Sequence, residues 1–157
     1  MYFVDHGAPG LFQLPTGWFG FQNLYADELH NTIKYMHENK MYKEMVIYVE
    51  ACESGSLFNN ILEDDLKVLA VTAADDKNPS YANYCGPNFD IVNNVSIGSC
   101  LGDVFSNVWF DDTETAMNNS MMNNETLASQ FKNIKQIAWF DQVSKYGDFS
   151  FINTTIG

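Results

Sequence analysis

The sequence has few basic residues, with 8 Lys and Arg against 20 Asp and Glu, and its formal net charge is −12. A surface of this charge repels phosphate groups, which argues against nucleic acid and anionic membranes as partners. The chain also lacks any run approaching the roughly 20 apolar residues of a transmembrane helix. It shows no internal repeat and no second domain. What remains is a chain of 157 residues, 46% of them hydrophobic, which is enough for one domain with a sizeable core.

Cysteine is also scarce, with only Cys52, Cys85 and Cys100 in the sequence. Cys52 stands at the point where the stretch from Met45 to Ser56 changes character. Residues 46–50 are apolar or aromatic except the last, and their β-branched side chains predict a buried strand. Residues 51–56 are small and polar, as expected at the carboxyl end of a strand, where open α/β sheets place their ligand crevices. Cys52 is therefore either a nucleophile in such a crevice or, like most free cysteines, a small buried hydrophobe.

A histidine occupies the same kind of position after another apolar run. Residues 1–4 are followed at once by Asp5, His6 and Gly7, so His6 also ends a strand and opens a loop rich in glycine and proline. On neighbouring parallel strands, His6 and Cys52 would face one crevice, which is the base-and-nucleophile arrangement that thiol catalysis needs. Asp5 either tunes His6 or is a solvated carboxylate.

These two stretches together resemble those of a known family. Residues 5–10, Asp-His-Gly-Ala-Pro-Gly, and residues 48–56, Tyr-Val-Glu-Ala-Cys-Glu-Ser-Gly-Ser, are similar to the two catalytic signatures of the legumains, the asparaginyl endopeptidases. The similarity runs from residue 1 to about residue 147, and it includes residues 29–45, 72–74, 80–82 and 101–103. It implies a caspase-like α/β fold, with a mostly parallel open sheet flanked by helices. Because the family has further strands and helices before this point, we expect residues 1–157 to be a partial legumain-type peptidase domain whose N-terminal part is missing.

The resemblance implies a thioester acyl-enzyme on Cys52. His6 would assist ionisation of the thiol and protonate the leaving amine, and the N–H groups of Gly7 and Cys52 would stabilise the oxyanion. Gly7 would also leave room for the substrate carbonyl, because glycine has no Cβ. We predict no metal ion and no cofactor. If Cys52 is the nucleophile, Cys85 and Cys100 could pair with each other, but the sequence leaves this open.

Cleavage after Asn, and less readily after Asp, is the specificity that the resemblance implies. Glu50, Ser80 and Asp103 match the family's side-chain pocket. An amide side chain needs acceptors for its NH2 group and a donor for its carbonyl group. Glu50 and Asp103 would supply the acceptors, and the family's donor is an arginine from upstream, outside this chain. Without the resemblance, Ser80 would be interpreted as a turn residue and Asp103 as a helix cap.

The implied partners are peptide or protein substrates, together with an inhibitory C-terminal region of the family that is not in this chain. By resemblance and by charge, we expect an acidic working pH and a lysosome or vacuole reached by the secretory route, although this sequence includes no signal peptide. Two alternatives remain open. One is a transamidase or ligase-type relative that uses the same thioester, and the other is an inactive fragment that acts as an interaction module.

Alternating strands and helices are predicted for the remainder. A helix should begin at Asp27 and Glu28, with Leu29, Ile33 and Met36 facing the sheet and with His30 and His37 at the surface. A second buried strand at residues 67–74 completes the βαβ pattern of a parallel sheet. The other predictions are a connecting loop at 7–23, a short helix at 57–62, irregular structure at 75–99, a helical piece at 101–109, an exposed loop at 111–124, a last helix at 125–140 with a packed Trp139-Phe140 end, and a strand at 148–156.

Overall fold

The computed structural model of this protein describes residues 1–17 and 20–157. Its elements in sequence order are β1 (Tyr2–Val4), β2 (Gly7–Ala8), β3 (Leu11–Gly17), β4 (Gly20–Tyr25), α1 (Ala26–Glu38), β5 (Met45–Glu50), a 3-10 turn (Ser54–Leu57), β6 (Val68–Thr72), β7 (Ala82–Asn83), β8 (Ile91–Val92), β9 (Val95–Ser96), β10 (Gly102–Asp103), α2 (Val104–Asn118), α3 (Leu127–Ile137) and β11 (Ser144–Gly147). Within these described residues, no helix is both long enough and apolar enough to cross a membrane.

The central sheet has the strand order β1-β5-β6-β11. β1 is parallel to β5 and β5 is parallel to β6, whereas β11 runs antiparallel to β6. β5 and β6 are the two strands that the apolar runs predict, and every residue of β6 is buried. The predicted α/β fold with a mostly parallel sheet flanked by helices is therefore confirmed.

The alternation of side chains along β5 divides the core between two faces of this sheet. Ile47 and Val49 pack in the cluster that contains α1, whereas Tyr48 packs in the cluster that contains α2 and α3. Because side chains two residues apart on a strand share a face, Glu50 at the end of β5 continues the face of Tyr48. One face of β5 therefore carries packing residues only, and the other changes from core to cavity at the carboxyl end of the strand.

Helix α1 begins where the acidic residues predict it. Asp27 and Glu28 lie in its first turn, where negative charge is favourable to the helix dipole. Leu29 and Ile33 are buried and Met36 is partly buried against the same cluster, as the helical spacing predicts.

The surface position predicted for His30 is wrong. Its side chain is 16% exposed, and its Nε2 atom lies 3.3 Å from Oε2 of Glu63. The 3-10 turn after β5 packs against α1. Glu63, further along the chain, lies beside both His30 and Lys34 of that helix. His37 is half-buried next to the ring of Tyr42, with 6.1 Å between the ring centroids.

Residues 7–23, predicted as a loop, contain a small antiparallel sheet in the order β2-β3-β4. Leu11 pairs with Tyr25, and Phe12 is buried in the core cluster of α1. The glycines and prolines that suggested a loop are accommodated by a shift in register within the β3–β4 ladder, where Pro15 lies. A proline is tolerated at such an irregularity because it has no N–H to donate to the ladder. Trp18 of the predicted loop lies outside the described residues.

Helix α2 is longer than the sequence predicts. It covers residues 104–109 of the helical piece predicted at 101–109 and the first half of the predicted loop at 111–124, whereas Gly102 and Asp103 form β10. Phe105, Ser106 and Ala116 are buried, whereas Asp111, Glu114 and Thr115 are exposed on its solvent-facing side. A polar segment therefore belongs to an amphipathic helix here, because only one face of α2 is covered.

Predictions near the C-terminus are partly wrong. The last helix is α3, and the Trp139-Phe140 pair beyond it is 66% and 56% exposed, with the two rings stacked 3.6 Å apart. Residues 148–156 form turns rather than a strand, with one isolated bridge from Thr155 to Thr126. Helical structure after Cys52 begins at Ser54, earlier than the predicted 57–62, which forms turns.

Residues 75–99 are largely irregular, as predicted, and contain three two-residue strands. Cys85 and Cys100 form a disulfide with an S–S distance of 2.09 Å, which leaves Cys52 as a free cysteine. The disulfide closes the loop that carries the β8–β9 hairpin, whose four residues are all exposed. The pairing that the sequence left open is therefore formed.

Candidate active site

A cavity of about 290 Å³ lies at the carboxyl ends of β1 and β5. Its lining consists of Val4, Asp5, His6, Glu50, Cys52, Ser80, Ala82 and Asp103. Five of the six residues predicted for the site line this cavity, and the sixth, Gly7, directly follows His6 in the sequence.

A cavity of about 320 Å³ lies further along the same face of the sheet. It is lined mainly by apolar and hydroxyl side chains, among them Tyr48, Trp109 and Phe151, and its one carboxylate is Glu44. It holds no thiol and no imidazole, so the smaller cavity is the one equipped for nucleophilic chemistry.

The pairing of β1 with β5 brings the histidine and the cysteine to this cavity. Val4 lies opposite Glu50 in the parallel ladder, and the N–H of Asp5 donates to the carbonyl of Glu50 at 3.3 Å. His6 and Cys52 each follow two residues later, at the same edge of the sheet. The Asp5 carboxylate accepts a hydrogen bond from the backbone N–H of His6 at 2.7 Å, so it fixes the backbone at this turn.

Gly7 packs against the peptide group of Cys52. A Cβ atom at position 7 would lie closer than 3.0 Å to the carbonyl oxygen of Cys52, a distance that real Cβ atoms essentially never show. A side chain here would force the two turns apart. The sequence analysis expects Gly7 to leave room for the substrate carbonyl. The structure adds a second reason for glycine at this position, which is the close approach of the Cys52 carbonyl group.

The turn after Cys52 is anchored to the segment that follows β6. Glu53 has a left-handed conformation, with φ of 47°, and its N–H donates to the carbonyl of Asn78 at 2.9 Å. The N–H of Gly55 donates to the carbonyl of Ala74 at 3.1 Å. Cys52 is half-buried, and its Sγ atom lies 3.7 Å from the carbonyl oxygen of Ser80. These contacts set the position of the thiol relative to the cavity wall that Ser80 forms.

Glu50 is almost completely buried, with 2% of its surface exposed. Its Oε2 atom accepts hydrogen bonds from the N–H (2.9 Å) and the hydroxyl (2.8 Å) of Ser106, whereas Oε1 has no partner. Burial raises the pKa of Glu50 to about 7; the hydrogen bonds from Ser106 oppose this rise, and the charges of Asp103 and Asp141 add to it. A buried carboxylate oxygen without a partner at the cavity is an unused acceptor.

Asp103 forms part of the cavity wall directly before α2. It occupies the N-cap position of that helix, but its side chain makes no capping hydrogen bond. Burial raises the pKa of Asp103, and the positive charge of a protonated His6 opposes the rise. The carboxylate therefore faces the cavity rather than serving the helix cap that the sequence offered as an alternative.

Ser106, Tyr2 and Asp141 support the site, and sequence reasoning missed all three. The Tyr2 hydroxyl lies 2.6 Å from Oγ of Ser106. The Asp141 carboxylate, 3% exposed, accepts a hydrogen bond from the N–H of Tyr81 at 3.1 Å and so holds the segment next to Ser80. Burial raises the pKa of Asp141 to about 6. Nothing in the sequence links Ser106 to Glu50 or Asp141 to residue 81.

The cavity thus combines a thiol, an imidazole, the buried carboxyl group of Glu50 and the half-buried carboxylates of Asp5 and Asp103. Its lining residues include no lysine and no arginine. This set can form and resolve a thioester, and it offers hydrogen-bond acceptors to a side chain that bears N–H groups.

Comparison with known proteins places these residues in a family context. The sequence pattern of the Peptidase C13 family matches residues 1–157. The chain is 39% identical to a hemoglobinase of Schistosoma mansoni, and this match covers 94% of the present chain. It is 42% identical to the vacuolar-processing enzyme delta-isozyme of Arabidopsis thaliana over 87% of the present chain. It is 39% identical to legumain of Mus musculus over 96% of the present chain. The present chain spans only 31%, 27% and 30% of the lengths of these three relatives, in the same order. The predicted resemblance and the caspase-like fold are thereby confirmed: the chain belongs to the peptidase C13 family.

Proposed function

We propose that this chain forms part of the peptidase domain of a legumain-type cysteine endopeptidase, which cleaves peptide bonds after Asn and less readily after Asp. The observation that carries the proposal is the shared cavity, where His6, Cys52 and two pocket carboxylates meet. Fold alone would not carry it, because one fold serves many reactions.

In the proposed reaction, the His6 imidazole takes the proton of the Cys52 thiol. The thiolate attacks the carbonyl carbon of the substrate, and the developing oxyanion accepts hydrogen bonds from the N–H groups of Gly7 and Cys52. Collapse of this intermediate breaks the C–N bond, and His6 protonates the leaving amine. A water molecule, deprotonated by His6, then cleaves the thioester and releases the acid product.

The pocket carboxylates account for the proposed preference for Asn. The free Oε1 atom of Glu50 and the carboxylate of Asp103 accept hydrogen bonds from the NH2 group of the Asn side chain, and Ser80 lines the same cavity. A donor for the amide oxygen of that side chain is still needed. All eight basic residues of the sequence are lysines, so we propose that the arginine implied by the resemblance comes from a segment outside residues 1–157.

We further propose that the substrates are proteins or peptides and that the enzyme works in a lysosome or vacuole. The location rests on relatives that are named vacuolar-processing enzymes. The acidic composition, with a net charge of −12, fits an acidic compartment because partial protonation relieves repulsion among the carboxylates.

The test uses a fluorogenic peptide that ends in Asn, in mildly acidic buffer. It compares residues 1–157 alone with a version extended upstream along the natural sequence. We expect Cys52→Ala and His6→Ala to abolish cleavage by the extended version, and His37→Ala, a histidine substitution on α1, to leave it unchanged. Activity of Cys52→Ala within roughly tenfold of wild type, about 1.4 kcal/mol of barrier, would show that another nucleophile is at work.

Residues 1–157 alone should be a poor peptidase. Loss of one charged hydrogen bond to the Asn side chain costs about 1.5–3 kcal/mol, or roughly tenfold to a hundredfold in kcat/KM. Equal, Cys52-dependent turnover by both versions would contradict the pocket assignment. Adding an amine nucleophile to the same assay tests the ligase alternative, because transfer gives a coupled product instead of the free acid.

A further inference from the structure

Glu50 is held by a series of hydrogen bonds that begins on a different strand. The Tyr2 hydroxyl on β1 contacts Oγ of Ser106 on α2 at 2.6 Å, and Ser106 contacts Oε2 of Glu50 on β5 through both its hydroxyl and its N–H. Ser106 is 4% exposed and Glu50 is 2% exposed, so water does not compete freely for these groups. Helix α2 contacts one oxygen of Glu50 directly, β1 acts on it through Ser106, and the other oxygen stays free.

The direction of donation follows from the chemistry of the groups. An ionised carboxylate only accepts hydrogen bonds, so the single hydroxyl proton of Ser106 points at Oε2 of Glu50. The Ser106 oxygen then accepts the proton of the Tyr2 hydroxyl. This order of donors, from Tyr2 to Ser106 to Glu50, is strongest when Glu50 is ionised, because a charged acceptor strengthens the hydrogen bonds that it accepts.

We propose that Ser106, backed by Tyr2, is a positioning residue that opposes protonation of Glu50 and keeps its Oε1 atom aimed into the cavity, and so sets the affinity for an Asn side chain. This inference rests on the proposed function. Ser106 does not line the cavity; it acts through Glu50.

The other groups around Glu50 make such a donor necessary. Asp103 at the start of α2 and Asp141 after α3 both disfavour its ionised form. Asp5, His6 and Cys52 share the cavity, and of these only the imidazole of His6 can carry a positive charge there. Burial raises the pKa of Glu50 further. Ser106, with two donated hydrogen bonds, is thus the group that opposes protonation from inside the protein.

The decisive test is a carboxyl-detected NMR titration of Glu50 in the 157-residue chain, with Glu50→Gln used to assign the signal. In Ser106→Ala, the N–H of residue 106 remains but the hydroxyl donor is lost, so the midpoint should rise by about one pH unit. Ser106→Thr keeps the hydroxyl and should restore the wild-type midpoint. Tyr2→Phe should shift the midpoint in the same direction by a smaller amount.

Ser129→Ala is the matched control, because it removes a partly buried hydroxyl that caps α3 and has no contact with Glu50. An unchanged Glu50 midpoint in Ser106→Ala overturns the proposal. If Ser106→Ala does not fold, Tyr2→Phe decides instead, and an unchanged midpoint there overturns it equally.

Kinetics of the extended version show whether the effect reaches the substrate. Ser106→Ala should raise KM for the Asn peptide about tenfold with little change in kcat, and the acid limb of kcat/KM should move to higher pH. A fall in kcat at constant KM would contradict a positioning role in the pocket. If Cys52→Ala also cleaves the peptide, the proposed function is wrong. If cleavage depends on Cys52 but Ser106→Ala leaves both KM and the acid limb of kcat/KM unchanged, only the role inferred for Ser106 is wrong.

Discussion

The buried acid Glu50 makes the stability of this protein depend on pH in a specific direction. Its pKa rises from an ordinary value of 4.5 to about 7 in the folded state, mainly because it is buried. The folded state therefore binds this proton more tightly than the unfolded state does. The stabilisation is complete below about pH 4.5 and is lost as pH rises through about 7.

The size of the effect follows from the shift. A change of one unit in pKa corresponds to about 1.36 kcal/mol, so protonation of Glu50 contributes on the order of 3 kcal/mol to the free energy of unfolding. For a domain of this size, that corresponds to a melting temperature roughly 6–12 °C lower at pH 8 than at pH 5. Asp141, whose pKa rises to about 6 through burial, adds to the same trend.

Stability should also fall in strong acid. The hydrogen bond from Ser150 and the ion pair with Lys67 hold the pKa of Asp148 below its usual range, so the stabilisation from this group is lost as pH falls below about 4. The two trends together place the stability maximum near pH 4–5.

Urea unfolding of the 157-residue chain at pH 5, 6, 7 and 8, followed by circular dichroism, measures this dependence. Glu50→Gln keeps the shape of the side chain but removes the titration, so it should lose most of the decline, whereas Glu38→Gln at the exposed end of α1 should retain it. A free energy of unfolding that stays constant or rises from pH 5 to 8 would refute the reasoning. An equal decline in wild type and Glu50→Gln would refute the assignment to Glu50.

Two further predictions concern the backbone around the site. Gly7→Ala should lower the free energy of unfolding by about 1–3 kcal/mol and abolish cleavage by the extended version, because the added Cβ collides with the Cys52 carbonyl. If urea unfolding gave wild-type stability for this variant, the two turns would separate without cost. Reduction of the Cys85–Cys100 disulfide should lower the free energy of unfolding by about 3 kcal/mol, as expected for a closed loop of some 15 residues. The β8–β9 hairpin should then be the first segment that added protease cleaves. An unchanged midpoint of urea unfolding would contradict the predicted loss of stability.

The strands that carry the cavity could be predicted because their signals are local. β5 and β6 are short apolar runs with polar boundaries, and the residues that follow β1 and β5 carry the two motifs. β3 and β4 could not be predicted in this way. Pro15 and several glycines interrupt their alternation, and their pairing depends on packing against α1 rather than on local propensity.

The supporting residues of the site depend on long-range contacts. Ser106 lies 56 residues from Glu50 in sequence, and Asp141 lies 60 residues from Tyr81. No periodicity connects such positions, so only the folded structure shows that the pocket acid is restrained. The exposed Trp139-Phe140 pair illustrates the opposite error. Aromatic side chains predict burial by composition, but this pair lies beyond the end of α3 and remains exposed.

The two faces of β5 restrict how this protein can change in length. Glu50 lies on the cavity face of β5, directly before the turn that carries Cys52, and Ile47 and Val49 occupy the other face. A single residue inserted within the strand would turn the pocket acid Glu50 toward the α1 core, displace the turn that carries Cys52 and expose aliphatic side chains in the cavity. Insertions and deletions are therefore excluded from β5, whereas the exposed loop between Cys85 and Cys100, tied at its base by the disulfide, can gain or lose residues without moving the thiol. Length variation among related proteins, and any peptide grafted by design, should accordingly concentrate in that loop.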